Sequence, residues 1–324
     1  MNDTSVNRQR HALRQSNFEL LRIIGMLFIV MHHLAVHGDY GKVLAANSAV
    51  IRFFEIGGKI GVNLFILISG YFLIDSQFNY KKIIKLLSET TYYSFFIYLI
   101  FLTSGKIGFT IIDLLSALFP IFSGTYWFAT SYIITYCLFP CLNAIIKNCT
   151  KRYLIFAIIL LIFIQSVIYT FSGANIFSDT GWFLTLYLVA AFLKLYPVNM
   201  LNSLKFTMIT AVLSFILIAV FNIFTDINLW TMTNLVCLVC SLAIFCTTKN
   251  VRIKHNKAIN NIAATTFGIY LIHDNPLLRK FLWVELLDCP FHSELKLFIV
   301  FALTGITIVF YCLYAHRFFQ TVYL

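Results

Sequence analysis

The sequence predicts an all-α, polytopic integral membrane protein with about ten transmembrane helices. Three observations carry that expectation. Of the 324 residues, 60% are hydrophobic and only 11% are charged, with a mean hydropathy of +0.84. A soluble globule of this size has nowhere to hide so much apolar surface. The apolar residues also fall into runs near or above the roughly 20 residues that an α-helix needs to cross a bilayer. Finally, the charges sort when the runs are threaded in alternation from a cytoplasmic N-terminus. Seventeen of the 24 basic residues and four of the 13 acidic residues then share the inner side, against seven and nine outside. This is the positive-inside bias, and it places both termini in the cytoplasm. The net charge of +11 therefore reads as topology and contact with anionic lipid, not as affinity for nucleic acid.

The elements follow in order. The polar lead "MNDTSVNRQRHALRQSNFE" has no small-residue cleavage site after it, so the first span, 17–37, is expected to stay as an anchor. The second, 51–74, carries "FFEIGGKIGVNLFILISGYFLI", whose glycines thin one helix surface and permit close approach of a neighbour or a ligand. Glu55 and Lys59 are four apart there and are expected to pair at the outer interface. Lys81, Lys82 and Lys85 lie in "DSQFNYKKIIKLLSE" at the inner surface, before the third span, 86–104. The fourth, 125–146, opens with "SGTYWFATSYIITYCLFP"; Tyr126 and Trp127 read either as an interfacial aromatic belt or as faces for stacking sugar rings. Runs at 152–172, 180–196, 206–224 and 230–248 supply the next four. Cys237 and Cys240 form a CxxC inside the last of these, where no exposed helix N-terminus would lower a thiol pKa and no histidine cluster suggests a metal, so they read as packing residues. The ninth span, 261–278, is short and is expected to tilt or break near Pro276; the tenth is 295–316. Residues 1–16 and 317–324 are read as cytoplasmic tails around a single membrane domain, 17–316, with no metal and no bound cofactor.

Ionisable groups within apolar spans usually face a cavity, pair, or act chemically. Arg22 and His33 are eleven residues apart on the first span. Eleven steps of 100° end about 20° past three turns, so both project from one face about 16 Å apart. Arg22 serves as an inner anchor or holds a phosphate-bearing ligand; His33 is the candidate general base at the other end of the track, since imidazole titrates near neutrality. Glu19 sits one turn before Arg22 and is placed to pair with it. Asn63 and Ser69 bring polar groups to the second span as cavity-lining candidates. His273, Asp274, Asn275 and Arg279 gather at the end of the ninth, forming a second polar cluster opposite His33.

These segments resemble acyltransferase family three, the integral-membrane acyltransferases. The run from Arg22 to His33 is similar to that family's Arg-x10-His signature. "GGKIGVNLFILISGYFLI" resembles its GxxGVxxFFxxSGF stretch, with Ile66 where a second Phe is usual. "YWFATSYIITYCLFP" and "FGIYLIH" are similar to its later aromatic and GxYLIH motifs. The resemblance implies an O-acyltransferase, acetyl-transferring by family habit, that carries an acyl group from cytoplasmic acyl-CoA to a hydroxyl of a surface polysaccharide or its lipid-linked precursor. It implies Arg22 as the CoA contact and His33 as the catalytic histidine. Lys81, Lys82 and Lys85 stand where relatives often carry arginines, which keeps charge but gives up bidentate phosphate recognition. Tyr126, Trp127, His273, Asp274 and Arg279 are then acceptor-side candidates. Without an appended extracytoplasmic domain, the chain either acts alone or hands its acyl group to a separate partner. Whether His33 deprotonates the acceptor or itself takes the acyl group stays open. The alternative function is a transporter or flippase for a lipid-linked sugar; against it stand the lack of internal repeats and of paired broken helices.

Overall fold

The computed structural model describes residues 14–40, 48–173 and 178–287, and every regular element among them is helical. The first helix, α1 (Ser16–His37), has no side-chain cap and is fixed by its first turn instead. Asn17 Nδ2 donates to the carbonyls of Thr248 and Val251, both at 3.0 Å, and Ser16 Oγ donates to Asn260 Oδ1 at 3.0 Å. These bonds tie the start of α1 to the chain more than 200 residues later.

The expected second span is two helices in register, α2 (Ala49–Glu55) and α3 (Gly57–Leu73), interrupted at Ile56. α3 is the centre of the bundle and packs against α1, α8 (Asp179–Leu195) and α10 (Leu235–Asn250). Its glycines allow this. A Cβ on Gly61 would collide with the Gly25 carbonyl oxygen and come within 3.0 Å of Ile29, so α1 and α3 cross backbone to backbone. Close packing of small residues supplies cohesion in lipid, where lipid tails are as apolar as any core side chain.

Buried polar links set the register of the bundle. Asn63 accepts from Trp182 Nε1 of α8 at 2.9 Å and donates to the Met232 carbonyl at 3.0 Å, just before α10. On α6 (Trp127–Asn148), Asn143 donates to the Leu73 carbonyl at 2.9 Å and accepts from Tyr187 Oη at 2.7 Å. Each such bond satisfies groups that lipid would leave unpaired. α7 (Lys151–Ser172), with a π-helical turn at Phe163–Val167, and α9 (Leu204–Phe224) are more exposed than α3 and form the rim.

Among the described residues, five helices are long and apolar enough to cross a membrane: Ser16–His37, Ala49–Leu73, Trp127–Asn148, Lys151–Ser172 and Leu204–Phe224. The expected span 86–104 lies within α4 (Tyr80–Thr103), while α8 and α10 run to 17 and 16 residues. A short helix absent from the sequence expectation, α5 (Ile111–Leu118), is capped by Thr110, which accepts from Asp113 N at 3.1 Å. The ninth expected span is in pieces: α11 (Lys257–Ala263), α12 (Thr266–His273) and α13 (Pro276–Lys280), followed by a π-helical turn at Phe281–Leu286. Pro276 starts its own helix at N1, with Asn275 as cap, because a proline has no amide hydrogen to continue α12. The tenth expected span, 295–316, lies outside the described residues.

Candidate active site

Arg22, Met26, Ile29 and His33 recur at helical spacing along one stripe of α1 and line two adjoining cavities. The first, a vestibule of about 190 Å³, is lined by Arg14, Arg22 and Met26 together with Ser69, Tyr132 and Tyr270. The second, a chamber of about 20 Å³, is lined by Ile29, His32, His33, Lys59 and Trp127 among others. That is room for about one water molecule. Met26, Phe65, Phe128 and Tyr270 belong to the walls of both, so these four side chains form the waist between them.

Histidines crowd the chamber end. The His33 ring centroid lies 4.9 Å from that of His273, 5.3 Å from His37 and 5.7 Å from His32. Two of these rings are held by backbone carbonyls: His32 Nδ1 donates to Glu55 O at 2.8 Å, and His273 Nδ1 donates to Ile269 O at 2.6 Å. A carbonyl only accepts, so both carry the proton on Nδ1 and, when neutral, offer Nε2 as acceptor. Gly58 gives His32 its place, since a Cβ there would overlap the imidazole.

His33 faces Asp274. Nδ1 stands 3.5 Å from Asp274 Oδ1, slightly long for a hydrogen bond. The same carboxylate oxygen accepts from Arg279 Nη2 at 2.9 Å, and that nitrogen also donates to the Asp274 carbonyl at 2.9 Å. Asp274 is 1% exposed. Among the described residues, His33 Nδ1, His273 Nε2, Asp274 Oδ2 and Arg279 Nε are buried without hydrogen-bond partners. Unsatisfied polar atoms are costly in a packed interior, and four in one cluster mark a site built for something other than stability. The arrangement suits proton transfer: a carboxylate orients one ring nitrogen and leaves the other to a substrate.

Among the described residues, His33, His37 and Asp274 form a group that could hold a metal ion, with ligand atoms within 4.8 Å of one another. Arg279 on the same carboxylate opposes a second cation there.

The other expected site residues divide clearly. Glu19 pairs with Arg22 at 3.5 Å, and Ser69 lines the vestibule. His273, Asp274 and Arg279 join His33, and Trp127 lines its chamber. Lys81 and Lys82 are exposed, and Lys85 pairs with Glu89 at 3.7 Å; from that part of α4 it is Leu86 that reaches the vestibule wall. Three readings need correction. Asn63 is on the wall of neither cavity: it is fully buried and spent on the bonds that join α3 to α8 and α10. Tyr126 is neither an interfacial belt residue nor a free stacking face. It is wholly buried, and its hydroxyl donates to Leu271 O at 2.9 Å and accepts from Asn275 Nδ2 at 2.8 Å, a strut between α6 and the broken ninth segment. Glu55 and Lys59 do not pair. Glu55 accepts from Asn222 Nδ2 at 3.3 Å, while the Lys59 ammonium sits 4.8 Å over the Trp127 ring.

Lys59, His37 and Tyr270 were missed as site residues. His37 carries a readable signal, one turn beyond His33 on the same face. Lys59 carried only an i,i+4 signal toward Glu55, whose carboxylate is taken instead by Asn222, 167 residues away.

A family model described as an acyltransferase domain, acyltransferase family 3, matches residues 15–317, and the chain belongs to that family. No curated protein and no solved structure matches it.

Proposed function

We propose that this family member is a multi-pass enzyme of the cell membrane, with the ten spans and cytoplasmic termini that its charge pattern favours. It moves an acyl group, acetyl by the habit of the family it resembles, from cytoplasmic acyl-CoA to a hydroxyl of a cell-surface polysaccharide or its lipid-linked precursor. The observation that carries this reading is that Arg22 and His33 line two cavities that share one waist.

In this reading the CoA phosphates meet Arg22 and Arg14 at the vestibule, and the thioester is threaded toward His33. The 3.5 Å approach of Asp274 to His33 Nδ1 tightens to a hydrogen bond once substrate is bound, so Nε2 accepts the proton of the acceptor hydroxyl. The hydroxyl oxygen bonds to the thioester carbonyl carbon, the C–S bond breaks, and the proton returns to the leaving thiolate, giving the ester and free CoA. Lys59 and Arg279 supply positive charge near the developing oxyanion. A chamber with space for about one water limits hydrolysis of the thioester.

The test uses inverted membrane vesicles, acetyl-labelled CoA, and wild type against His33→Ala at matched expression. Label entering lumenal or lipid-linked material only with His33 supports the reading. Equal labelling with both proteins removes His33 from the chemistry, and untouched donor in both overturns the acyl-transfer reading.

A further inference from the structure

α1 places His33 and His37 one turn apart, so both imidazoles leave the same helix face, with ring centroids 5.3 Å apart. A histidine pair at this spacing on one helix is a recurrent way to grip a transition metal. The third member comes from the opposite wall of the cluster. Pro276 keeps α12 from continuing, and Asp274, the residue after α12, is left in the break facing His33. One ligand atom from each of the three lies within 4.8 Å of the other two.

This spacing suits a metal ion better than a hydrogen bond. His33 Nδ1 and Asp274 Oδ1 are 3.5 Å apart, too long for a strong hydrogen bond in the free protein. Two ligands of one tetrahedral zinc, each bonded at about 2.0–2.1 Å, stand about 3.3–3.4 Å apart. The edge between His33 and Asp274 is thus already near zinc spacing, and the longest edge of the trio has at most about 1.4 Å to close. His37 is the last residue of α1 and only partly buried, so it is free to swing inward and is open to an arriving ion. The seat of such an ion is bounded by its own ligand atoms and needs no cavity the size of a water molecule.

Arg279 weakens the site without closing it. Its Nη2 holds Asp274 Oδ1 and also the Asp274 carbonyl, so the side chain keeps an anchor when the carboxylate turns to a cation. Its charge repels the ion, which suits reversible binding and not a resident cofactor.

We propose that His33, His37 and Asp274 take up a single Zn²⁺ ion and that the ion switches acyl transfer off. Zinc takes the lone pair of His33 Nδ1, and the proton of the neutral ring moves from Nδ1 to Nε2. Nε2, the base in the acyltransferase reading, becomes an N–H donor and no longer accepts the proton of the acceptor hydroxyl. Nothing covalent changes at carbon, so removing the metal restores the tautomer and the rate. The inhibition rests on that reading; the binding does not.

The experiment dialyses purified full-length protein against Zn²⁺ and counts bound metal in wild type, His37→Gln and Asp274→Asn. Wild type is expected to hold one zinc per chain. Loss of an outer-shell partner already costs a metal site roughly 10–100-fold in affinity, so loss of a ligand should weaken each variant at least about a hundredfold. Arg279→Gln, with the opposing charge gone, should bind about tenfold more tightly. Unfolding midpoints in zinc-free buffer check that each variant keeps the fold. In membranes, zinc is expected to lower the wild-type kcat for labelled acetyl transfer with an unchanged KM for acetyl-CoA, and EDTA to restore it. His37→Gln, scaled to its own zinc-free rate, should need about a hundredfold more zinc for the same inhibition. Zinc held equally by wild type and both ligand variants is bound elsewhere and overturns the site. Zinc that binds as expected but leaves transfer unchanged overturns the switch. A wild type that transfers no acetyl even in EDTA overturns the acyltransferase reading, while the dialysis still decides the metal site.

Discussion

Asp274→Asn is the substitution that most directly tests the proposed chemistry. The carboxylate lies 3.5 Å from His33 Nδ1, and transfer of the acceptor proton makes that ring an imidazolium. Two unit charges at this distance attract by about 5 kcal/mol at an effective dielectric constant near 20. Arg279, bound to the same oxygen, opposes the imidazolium and is taken to halve the benefit, leaving about 2–3 kcal/mol, or roughly a hundredfold in rate. The asparagine is isosteric, and the Asp274 backbone carbonyl keeps one of the two bonds from Arg279, so the segment should hold its place. The assay measures initial rates of label transfer in membranes against donor concentration, with thermal unfolding of the purified variant as a control. The expected outcome is a kcat lower by about a hundredfold, an unchanged KM for acetyl-CoA, and a near-native unfolding temperature. A kcat within threefold of wild type would refute the orienting role of Asp274. A matched loss in Arg279→Gln with normal Asp274 would move the role to the guanidinium.

Two further predictions concern the donor end and the helix crossing. Arg22→Gln is expected to raise the KM for acetyl-CoA about tenfold, as loss of a charge-assisted phosphate contact should, with kcat largely recovered at saturating donor; replacing Lys81 and Lys82 together should change it far less, since neither lines the vestibule. Gly61→Ala should destabilise the protein by about 1–3 kcal/mol through overpacking against Gly25 and Ile29, read as an earlier unfolding midpoint in detergent. Unaltered unfolding would mean that α1 and α3 separate more easily than their backbone contact implies.

How much of this was readable in the sequence depended on whether the signal was local. The Arg22–His33 stripe follows from helical geometry alone, and the structure places both on cavity walls. Pro276 announced a break, because a proline cannot continue a helix past its own nitrogen. Tyr126 could not be read, since the partner that hides it, Asn275, lies 149 residues away. Asn63 looked like a cavity residue for the same reason: a polar side chain in an apolar span has several ways to be satisfied, and Trp182 and Met232 are distant in sequence. Lys59 failed on a local assumption, because Glu55 finds Asn222 and the Lys59 ammonium finds the Trp127 ring, both distant in sequence. α5 was overlooked because eight residues are too few to show a clear period.

The waist of Met26, Phe65, Phe128 and Tyr270 has an electrical consequence. An enzyme that hands an acyl group from one side of an energised membrane to the other risks joining the two solutions by a file of water. An elementary charge falling through such a file releases about 2.3 kcal/mol per 100 mV, so an open track would drain the membrane potential whenever substrate was absent. Three apolar side chains and one tyrosine separate the vestibule from a chamber that admits about one water. In the proposed reading the insulation is then supplied by the resting protein, and the acyl thioester crosses the waist uncharged while the donor's phosphates stay in the vestibule.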